Sequence, residues 1–121
     1  MKFKPKRRIR TKKFQANWDK IQKSCSQRKT WPEAVMQADE LLYKALKKKG
    51  YKGKSTGEKL VAAQHEIKFN EEVWFSHKFS KKLSEEAIDV RKLKKKDIIM
   101  ALAGFREALR DLGALEKKSD K

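Results

Sequence analysis

The amino-acid sequence predicts an all-α protein: a small bundle of four or five helices with a flexible basic arm at its amino terminus. Apolar residues recur at steps of three and four along several segments, which is the spacing of one helix face. No segment shows sustained alternation of apolar and polar residues between hairpin turns, the pattern typical of strands. The 121 residues suit one domain with one core. We expect an arm over residues 1–13, a helical bundle over 14–115 and a charged tail over 116–121.

The arm is predicted to be disordered and to become ordered when phosphates neutralise it. Eight of the 33 basic residues and none of the 16 acidic residues lie within residues 1–13. Their mutual repulsion, together with Pro5, disfavours a free helix. The alternative is a solvated tail that only aids solubility, but solubility does not require one sign of charge at this density. The basic residues are Lys2, Lys4, Lys6, Arg7, Arg8, Arg10, Lys12 and Lys13.

Two helices are predicted in the first half of the bundle. The first covers about residues 14–27 and carries one apolar stripe at steps of four, three and four, formed by Phe14, Trp18, Ile21 and Cys25. A capping box over residues 30–33, with proline in the first turn, predicts the start of the second helix. Gly50 is its candidate C-cap. The apolar face between them consists of Ala34, Val35, Ala38, Leu41, Leu42, Ala45 and Leu46.

Three more helices are predicted in the second half. Ser55 and Glu58 indicate a capping box for a short helix, and Asn70 is a candidate cap for the next one. Asp97 begins the last helix, which Gly113 closes. The apolar face of this last helix is formed by Ile98, Leu102, Phe105, Leu109 and Leu112.

The charge indicates the class of partner. A net charge of +17 exceeds what solubility asks of a domain this small, so a polyanion is the expected ligand. No helix-turn-helix signature is evident, which argues against a sequence-specific transcription factor, and RNA is the favoured nucleic acid. We therefore predict a non-catalytic RNA-binding protein that contacts phosphates through the arm and two clusters over residues 47–54 and 91–96. These clusters consist of Lys47, Lys48, Lys49, Lys52, Lys54, Arg91, Lys92, Lys94, Lys95 and Lys96.

A small body with a very basic extension is similar in composition to ribosomal proteins. Ribosomal RNA is therefore one concrete form of the predicted target, with ribosomal proteins or a second copy of the chain as further contacts. Among the aromatic residues, Tyr51 and Phe69 are the candidates for stacking on bases because they fall in polar or basic loops. The other aromatic residues of the bundle are expected in the core.

Other site chemistries find little support in the sequence. Residues 53–56 read GKST, but a phosphate-binding P-loop needs a glycine at position 48, where the chain has Lys48. The loop still offers Lys52, Lys54 and Lys59 for ordinary phosphate contacts. Cysteine, histidine and acidic residues lack the clustering of a metal site, so no metal or cofactor is expected.

The predicted compartment is the cytoplasm. The only cysteine, Cys25, cannot form an internal disulfide, which fits a reducing environment. No apolar run has the length of a membrane span or a signal peptide, so no membrane partner is expected. An organelle transit peptide stays open as an alternative, because such segments are also rich in arginine and free of acids.

Histidines offer the main alternative, a small ribonuclease. Two histidines near a lysine can act as general acid and base, and His65, His77, Lys78 and Lys81 form a conceivable set. His77 follows Trp74 by three residues, however, and would share its helix face. We therefore expect a hydrogen-bonded, partly buried imidazole at this position.

The chain from about residue 31 to 115 resembles the HEPN-like helical proteins of bacteria and archaea. In that family a Trp-x-x-His-Lys helix start leads into Arg-Asn-x-Ile/Leu-x-His-Glu, and here residues 74–86 read WFSHKFSKKLSEE and residues 105–113 read FREALRDLG. The resemblance implies an up-and-down helical bundle that often pairs with a second copy. The arginine and second histidine of the family cleave RNA, and Ser80 and Glu85 occupy the matching positions here, with Lys81 in place of the asparagine. The resemblance thus implies a scaffold without its nuclease pair.

Two other function classes remain as alternatives to non-catalytic RNA binding. One is a HEPN-like or unrelated ribonuclease that uses His77 or His65. The other is a protein-interaction or antitoxin-like module whose arm contacts an acidic partner protein.

Overall fold

Helix α2 (Trp31–Lys48) lies at the centre of the structure, and all four other α-helices of the described chain pack against it. The computed structural model describes residues 9–86 and 88–116, which form helices and turns and no strand. The prediction of a small all-α bundle is confirmed. The other elements are α1 (Thr11–Lys23), α3 (Thr56–Ala62), α4 (Asn70–Glu85) and α5 (Lys95–Asp111), with 3-10 turns at Ser24–Ser26, Arg28–Thr30 and Val90–Lys92.

The long helices run alternately up and down, so the bundle has two distinct ends. At one end, the Thr11 hydroxyl at the start of α1 donates to the Gly113 carbonyl beyond α5, over 2.9 Å. The amide of Lys68, just before α4, donates to Asp111 there. We call this the Gly113 end. The C-terminus of α2 also lies here, because Lys49 pairs with Glu66, which is two residues before Lys68.

The opposite end is the Arg28 end, where α2 and α5 begin. The Arg28 guanidinium donates to the Leu93 carbonyl over 2.6 Å, which joins the turn before α2 to the turn before α5. Helices α1 and α4 end on this side. Because α2 has 18 residues, about 27 Å separates the two ends of the bundle.

The core forms where the apolar faces meet, as the helical spacing predicted. The stripe on α1 is buried except for Cys25, which follows the helix and is half-buried. The predicted face of α2 is buried along its whole length, and Phe105 and Leu109 of α5 are fully buried against it. Within the described ranges no helix combines the length and apolar character needed to cross a membrane.

Helix α1 begins at Thr11, three residues before the predicted boundary of the bundle at residue 14. The reason is tertiary: Thr11 bonds to Gly113, and Ile9 packs against the core. The helix ends at Lys23 rather than near residue 27, because Gln27 adopts extended backbone angles. Residues 1–8 of the predicted arm and residues 117–121 of the predicted tail lie outside the described ranges.

The predicted caps hold at some helix ends and fail at others. Gly50 and Gly113 have φ of +92° and +81°, and each closes its helix as predicted. Ser55 caps α3 by accepting from the Glu58 amide, whereas the Glu58 carboxylate reaches back to the Lys54 amide.

The capping predictions at Thr30 and Asn70 are wrong. The Thr30 hydroxyl is directed at the carbonyls of Ser24 and Gln27, and it accepts no hydrogen bond from an amide of α2. Asn70 donates to the carbonyls of Gln64 and Ile67. Both side chains stabilise the preceding turn by donating to its carbonyls, and local sequence does not show that this turn needs those hydrogen bonds.

Candidate nucleic-acid interface

The C-terminus of α2 presents one group of exposed lysines at the Gly113 end. Gly50 turns the chain in a left-handed conformation, with its amide donating to the Lys47 carbonyl and the Tyr51 amide donating to the Leu46 carbonyl. This closure brings the loop back over the end of the helix. The side chains of Lys47, Lys48, Lys52 and Lys54 are left in solvent. The first residues of α1 lie at the same end, so Arg10, Lys12 and Lys13 add to this group, and all three are exposed.

Lys49 differs from its neighbours and is withdrawn from the predicted phosphate contacts. Its ammonium lies 2.9 Å from a carboxylate oxygen of Glu66, and only 14% of its side chain is exposed. Glu66 also accepts a hydrogen bond from the Tyr51 hydroxyl. The charge of Lys49 is therefore compensated within the fold, by a partner 17 positions away that no short motif indicates.

The environment of Glu66 determines the pKa of two groups. Burial raises the pKa of Glu66, but the hydrogen bonds from Tyr51 and Lys49, with the positive charge of Lys49, outweigh it and leave the pKa below its ordinary value. Burial also raises the pKa of Tyr51, and the hydrogen bond to the charged Glu66 raises it further. The pairing is thus one between an ionised carboxylate and a neutral phenol.

Two further predictions for this loop are corrected by burial. Tyr51 is only 4% exposed, so its ring belongs to the core and is not a platform for bases. Lys59 is 6% exposed, its ammonium donates to the Tyr51 carbonyl, and it lies 5.2 Å from the centre of the Tyr43 ring. Both residues stabilise the loop after α2. Phe69, the other stacking candidate, is 48% exposed.

A second group of basic residues lies at the Arg28 end. The side chains of Arg91, Lys92, Lys94, Lys95 and Lys96 are exposed around the start of α5. Arg91 forms an ion pair with Asp89 at 3.0 Å on the surface, where such pairs contribute little stability. Hydrogen bonds from the Arg91 side chain and amide lower the pKa of Asp89.

Three basic residues of this second group were not predicted from the sequence. Arg28 and Lys29 lie in the turn that contacts residues 90–92, and the Arg28 guanidinium also stacks 4.5 Å from the centre of the Trp31 ring. Lys82, at the end of α4, lines a depression of about 300 Å³ together with Lys92 and Lys94. The basic pairs 28–29 and 81–82 are visible in the sequence, but their convergence requires the fold.

The predicted phosphate contacts therefore form two groups rather than one surface. The group at the Gly113 end and the group at the Arg28 end are separated by the length of α2, about 27 Å. In the described part of the chain, none of the lysines 47, 48, 52, 54, 92, 94, 95 and 96 has a carboxylate within ion-pair distance. Lys2, Lys4, Lys6, Arg7 and Arg8 lie outside the described residues.

The histidines lie in separate surroundings. His77 is partly buried, and its Nδ1 lies 3.1 and 3.2 Å from the two carboxylate oxygens of Asp39. The hydrogen bond to Asp39 confirms the predicted hydrogen-bonded, partly buried imidazole. The ring of His77 also meets the ring of Trp74 edge to face. His65 is exposed and lies 3.5 Å from the Tyr51 hydroxyl instead. Asp39 was missed because it is 38 positions from its partner.

Ser80 and Glu85, which the predicted HEPN-like resemblance aligns with the nuclease pair of that family, differ in burial. Ser80 is 3% exposed on the core side of α4, whereas Glu85 is exposed in its last turn. Among the described residues, no group of three or more histidine, cysteine or acidic side chains is arranged to hold a metal ion.

Comparison with protein-family models, curated proteins and solved structures found no match to this chain.

Proposed function

We propose that this protein binds RNA without cleaving it, and that basic residues at both ends of the bundle contact phosphates. The observation that carries the proposal is the pair of exposed lysine groups without carboxylate partners, in a chain whose net charge is +17. Bringing several positively charged lysines together costs free energy unless a polyanion neutralises them. Phosphate binding releases the counterions that otherwise screen RNA, and this release favours association.

The spacing of the two groups favours a folded RNA as the target. Groups about 27 Å apart can contact two neighbouring RNA segments at once, and the group at the Gly113 end includes Arg10, Lys12 and Lys13 of the predicted arm. Contacts of this kind position a protein on RNA without reading its sequence. Ribosomal RNA in the cytoplasm is the concrete form of this proposal, because it offers many closely packed helices to a small basic protein.

The proposal is tested by salt titration of RNA binding with three matched double variants. Lys47→Gln/Lys48→Gln removes charge at the Gly113 end, and Lys94→Gln/Lys95→Gln removes charge at the Arg28 end. Lys20→Gln/Lys78→Gln is the control, because both residues are exposed, lie between the ends of α1 and α4 and belong to neither group.

Each end variant should reduce the slope of log K against log salt by about 1.4, which corresponds to two lost contacts. The control should leave the slope unchanged. Equal losses in all three variants would mean that only net charge matters, and binding that does not depend on salt would contradict the proposal. Crosslinking in cells, followed by sequencing of the bound RNA, identifies the target.

A ribonuclease is the second candidate, and the contact between His77 and Asp39 is the observation that favours it. An ionised carboxylate only accepts hydrogen bonds, so Nδ1 of His77 is the donor to Asp39, and Nε2 is the ring nitrogen that does not contact Asp39. Nε2 points towards Gly57, 3.7 Å from the position that a β-carbon there would take. The HEPN-like origin we propose for the scaffold argues against cleavage, because Ser80 and Glu85 replace the pair that acts in that family.

A further inference from the structure

An apolar groove runs between α4 and α5 on the side away from α2. It has a volume of about 490 Å³, and its apolar walls are Phe69, Phe75 and Met100. Phe69 is 48% exposed and Met100 is 47% exposed. Large apolar side chains that cluster on a surface and leave this much area in water are typical of interaction sites.

Small residues on α5 explain why the groove is open. Ala103 and Gly104 form its floor, and a β-carbon on Gly104 would lie 2.6 Å from the Glu72 carbonyl oxygen. The helices therefore approach closely at this crossing, and the large side chains stand on either side of it. The Phe75 ring is stacked on Phe79, with centroids 5.8 Å apart, so this wall of the groove is held in place before any ligand binds.

The rim of the groove is acidic in a strongly basic protein. Glu71, Glu72 and Glu107 line it, and none of the described lysines or arginines does, although basic residues outnumber acidic ones 33 to 16 in the chain. Glu107 is held by Arg110 at 2.8 Å and by Arg106 at 3.2 Å. Glu71 and Glu72 are exposed and have no ion pair within the described ranges. This surface repels phosphates and is suited to a cationic ligand.

We propose that the groove is a docking site for a short segment of another protein that carries one or two large apolar side chains flanked by lysine or arginine. The apolar side chains enter between Phe69 and Met100, as in other grooves formed by paired helices. The flanking cations face Glu71 and Glu72 on the rim. The site is separate from both lysine groups, so the protein can hold RNA and this partner together.

Charge also argues against a two-fold dimer that pairs the groove with the groove of a second copy. A two-fold axis through the groove would place the same surface on both sides, so Glu71 and Glu72 of one copy would face their own equivalents. Like charges across an interface oppose binding. A basic segment instead neutralises the rim.

The test uses the full-length protein and three labelled 12-residue probe peptides, with binding measured by fluorescence anisotropy. The first peptide carries two leucines among lysines, the second has the same leucines among glutamates, and the third has the same lysines with serine in place of leucine. The first should bind at least about tenfold more tightly than either of the others. Failure of the first peptide to bind, or equal binding of the first two, would overturn the proposal.

Variants of the groove locate the binding. Phe69→Ser/Met100→Ser should weaken binding of the first peptide by about tenfold or more, because it removes two of the three large apolar side chains that wall the groove. The matched control is Val61→Ser on α3, which is 55% exposed and outside the groove, and it should have no effect. Circular dichroism confirms that each variant is folded. Loss of binding in the control alone, or equal losses in both, would overturn the assignment to the groove.

Charge reversal and self-association distinguish the possible occupants. Glu71→Lys/Glu72→Lys should shift preference from the first peptide to the second. Sedimentation that shows a dimer abolished by Phe69→Ser/Met100→Ser would overturn the proposal in favour of a second copy. The arm itself is tested with Phe3→Ala, which removes its apolar side chain. If this variant shifts the amide resonances of residues 69–75 in the protein without peptide, the chain's own arm occupies the groove, and the proposal is overturned.

Discussion

Gly104 of α5 lies directly against Ser76 of α4, and this contact sets the distance between the two helices. Ser76 is fully buried, and its hydroxyl oxygen lies 2.6 Å from the Ala101 carbonyl oxygen, to which it donates across the interface. A β-carbon on residue 104 would overlap this hydroxyl. The glycine thus permits both the close packing of the helices and the groove above it.

Adding one methyl group here should destabilise the fold. We expect Gly104→Ala to lower the free energy of unfolding by about 1–3 kcal/mol, because the carbonyl of Glu72 is backbone and cannot move aside cheaply. Gly57→Ala on α3 is the matched control, since a β-carbon there meets only ordinary contacts at 3.7 Å or more. It should leave stability unchanged or raise it by up to about 1 kcal/mol. Urea denaturation measures both, and stabilisation by Gly104→Ala would contradict the close crossing.

The pairing of Glu66 with Lys49 and Tyr51 should make stability depend on pH in the acid range. Because the folded-state pKa of Glu66 lies below its ordinary value of about 4.3, its contribution is present above that pH and is lost as pH falls through the lowered pKa. Glu66→Gln should lower the free energy of unfolding by about 1–2 kcal/mol near pH 7. The difference in unfolding free energy between this variant and the parent protein should shrink below about pH 4.

The control for this titration is Glu40→Gln, which alters an exposed carboxylate on α2. It should change stability by less than about 0.5 kcal/mol across the same range. Denaturant midpoints measured at several pH values provide the comparison. A difference for Glu66→Gln that stays constant down to the acid limit would contradict the lowered pKa.

The contact between His77 and Asp39 should act in stability rather than in cleavage. We expect His77→Ala and Asp39→Ala each to lower the free energy of unfolding, with a coupling of about 0.5–3 kcal/mol in the double-mutant cycle. RNA affinity should be unchanged by His77→Ala, because the imidazole is partly buried, contacts Asp39 and is not one of the exposed cations of either lysine group. RNA cleavage by the purified protein that disappears in His77→Ala would instead establish the ribonuclease.

Neutralising the arm should weaken RNA binding mostly through its salt dependence. Replacement of Lys2, Lys4, Lys6, Arg7 and Arg8 by glutamine should lower the slope of log K against log salt by up to about 3.5. Substitution is preferable to deleting residues 1–13, because such a deletion would remove the start of α1 and the bond from Thr11 to Gly113. An unchanged slope would show that the arm does not contact phosphates.

Local sequence was sufficient for most of the fold because helix formation depends on spacing within one segment. The apolar faces of α2 and α5 and their glycine caps could be predicted in this way, since each signal lies within a few residues. Thr30 and Asn70 could not, because their side chains serve the preceding turns. Only the packed structure shows whether such a side chain caps the following helix or bonds to carbonyls of the preceding turn.

The sequence by itself determined that this is a helical protein with a large excess of positive charge, since periodicity and composition do not depend on folding. The tertiary structure alone decided which cations face solvent. It withdrew Lys49 and Lys59 into the fold, brought Arg28 and Lys82 to residues 91–96, and separated that group from the one at the end of α2. It also gathered three glutamates around an apolar groove. The physical reason is the same throughout: these contacts join residues distant in the chain, and their energies exist only after the helices have packed.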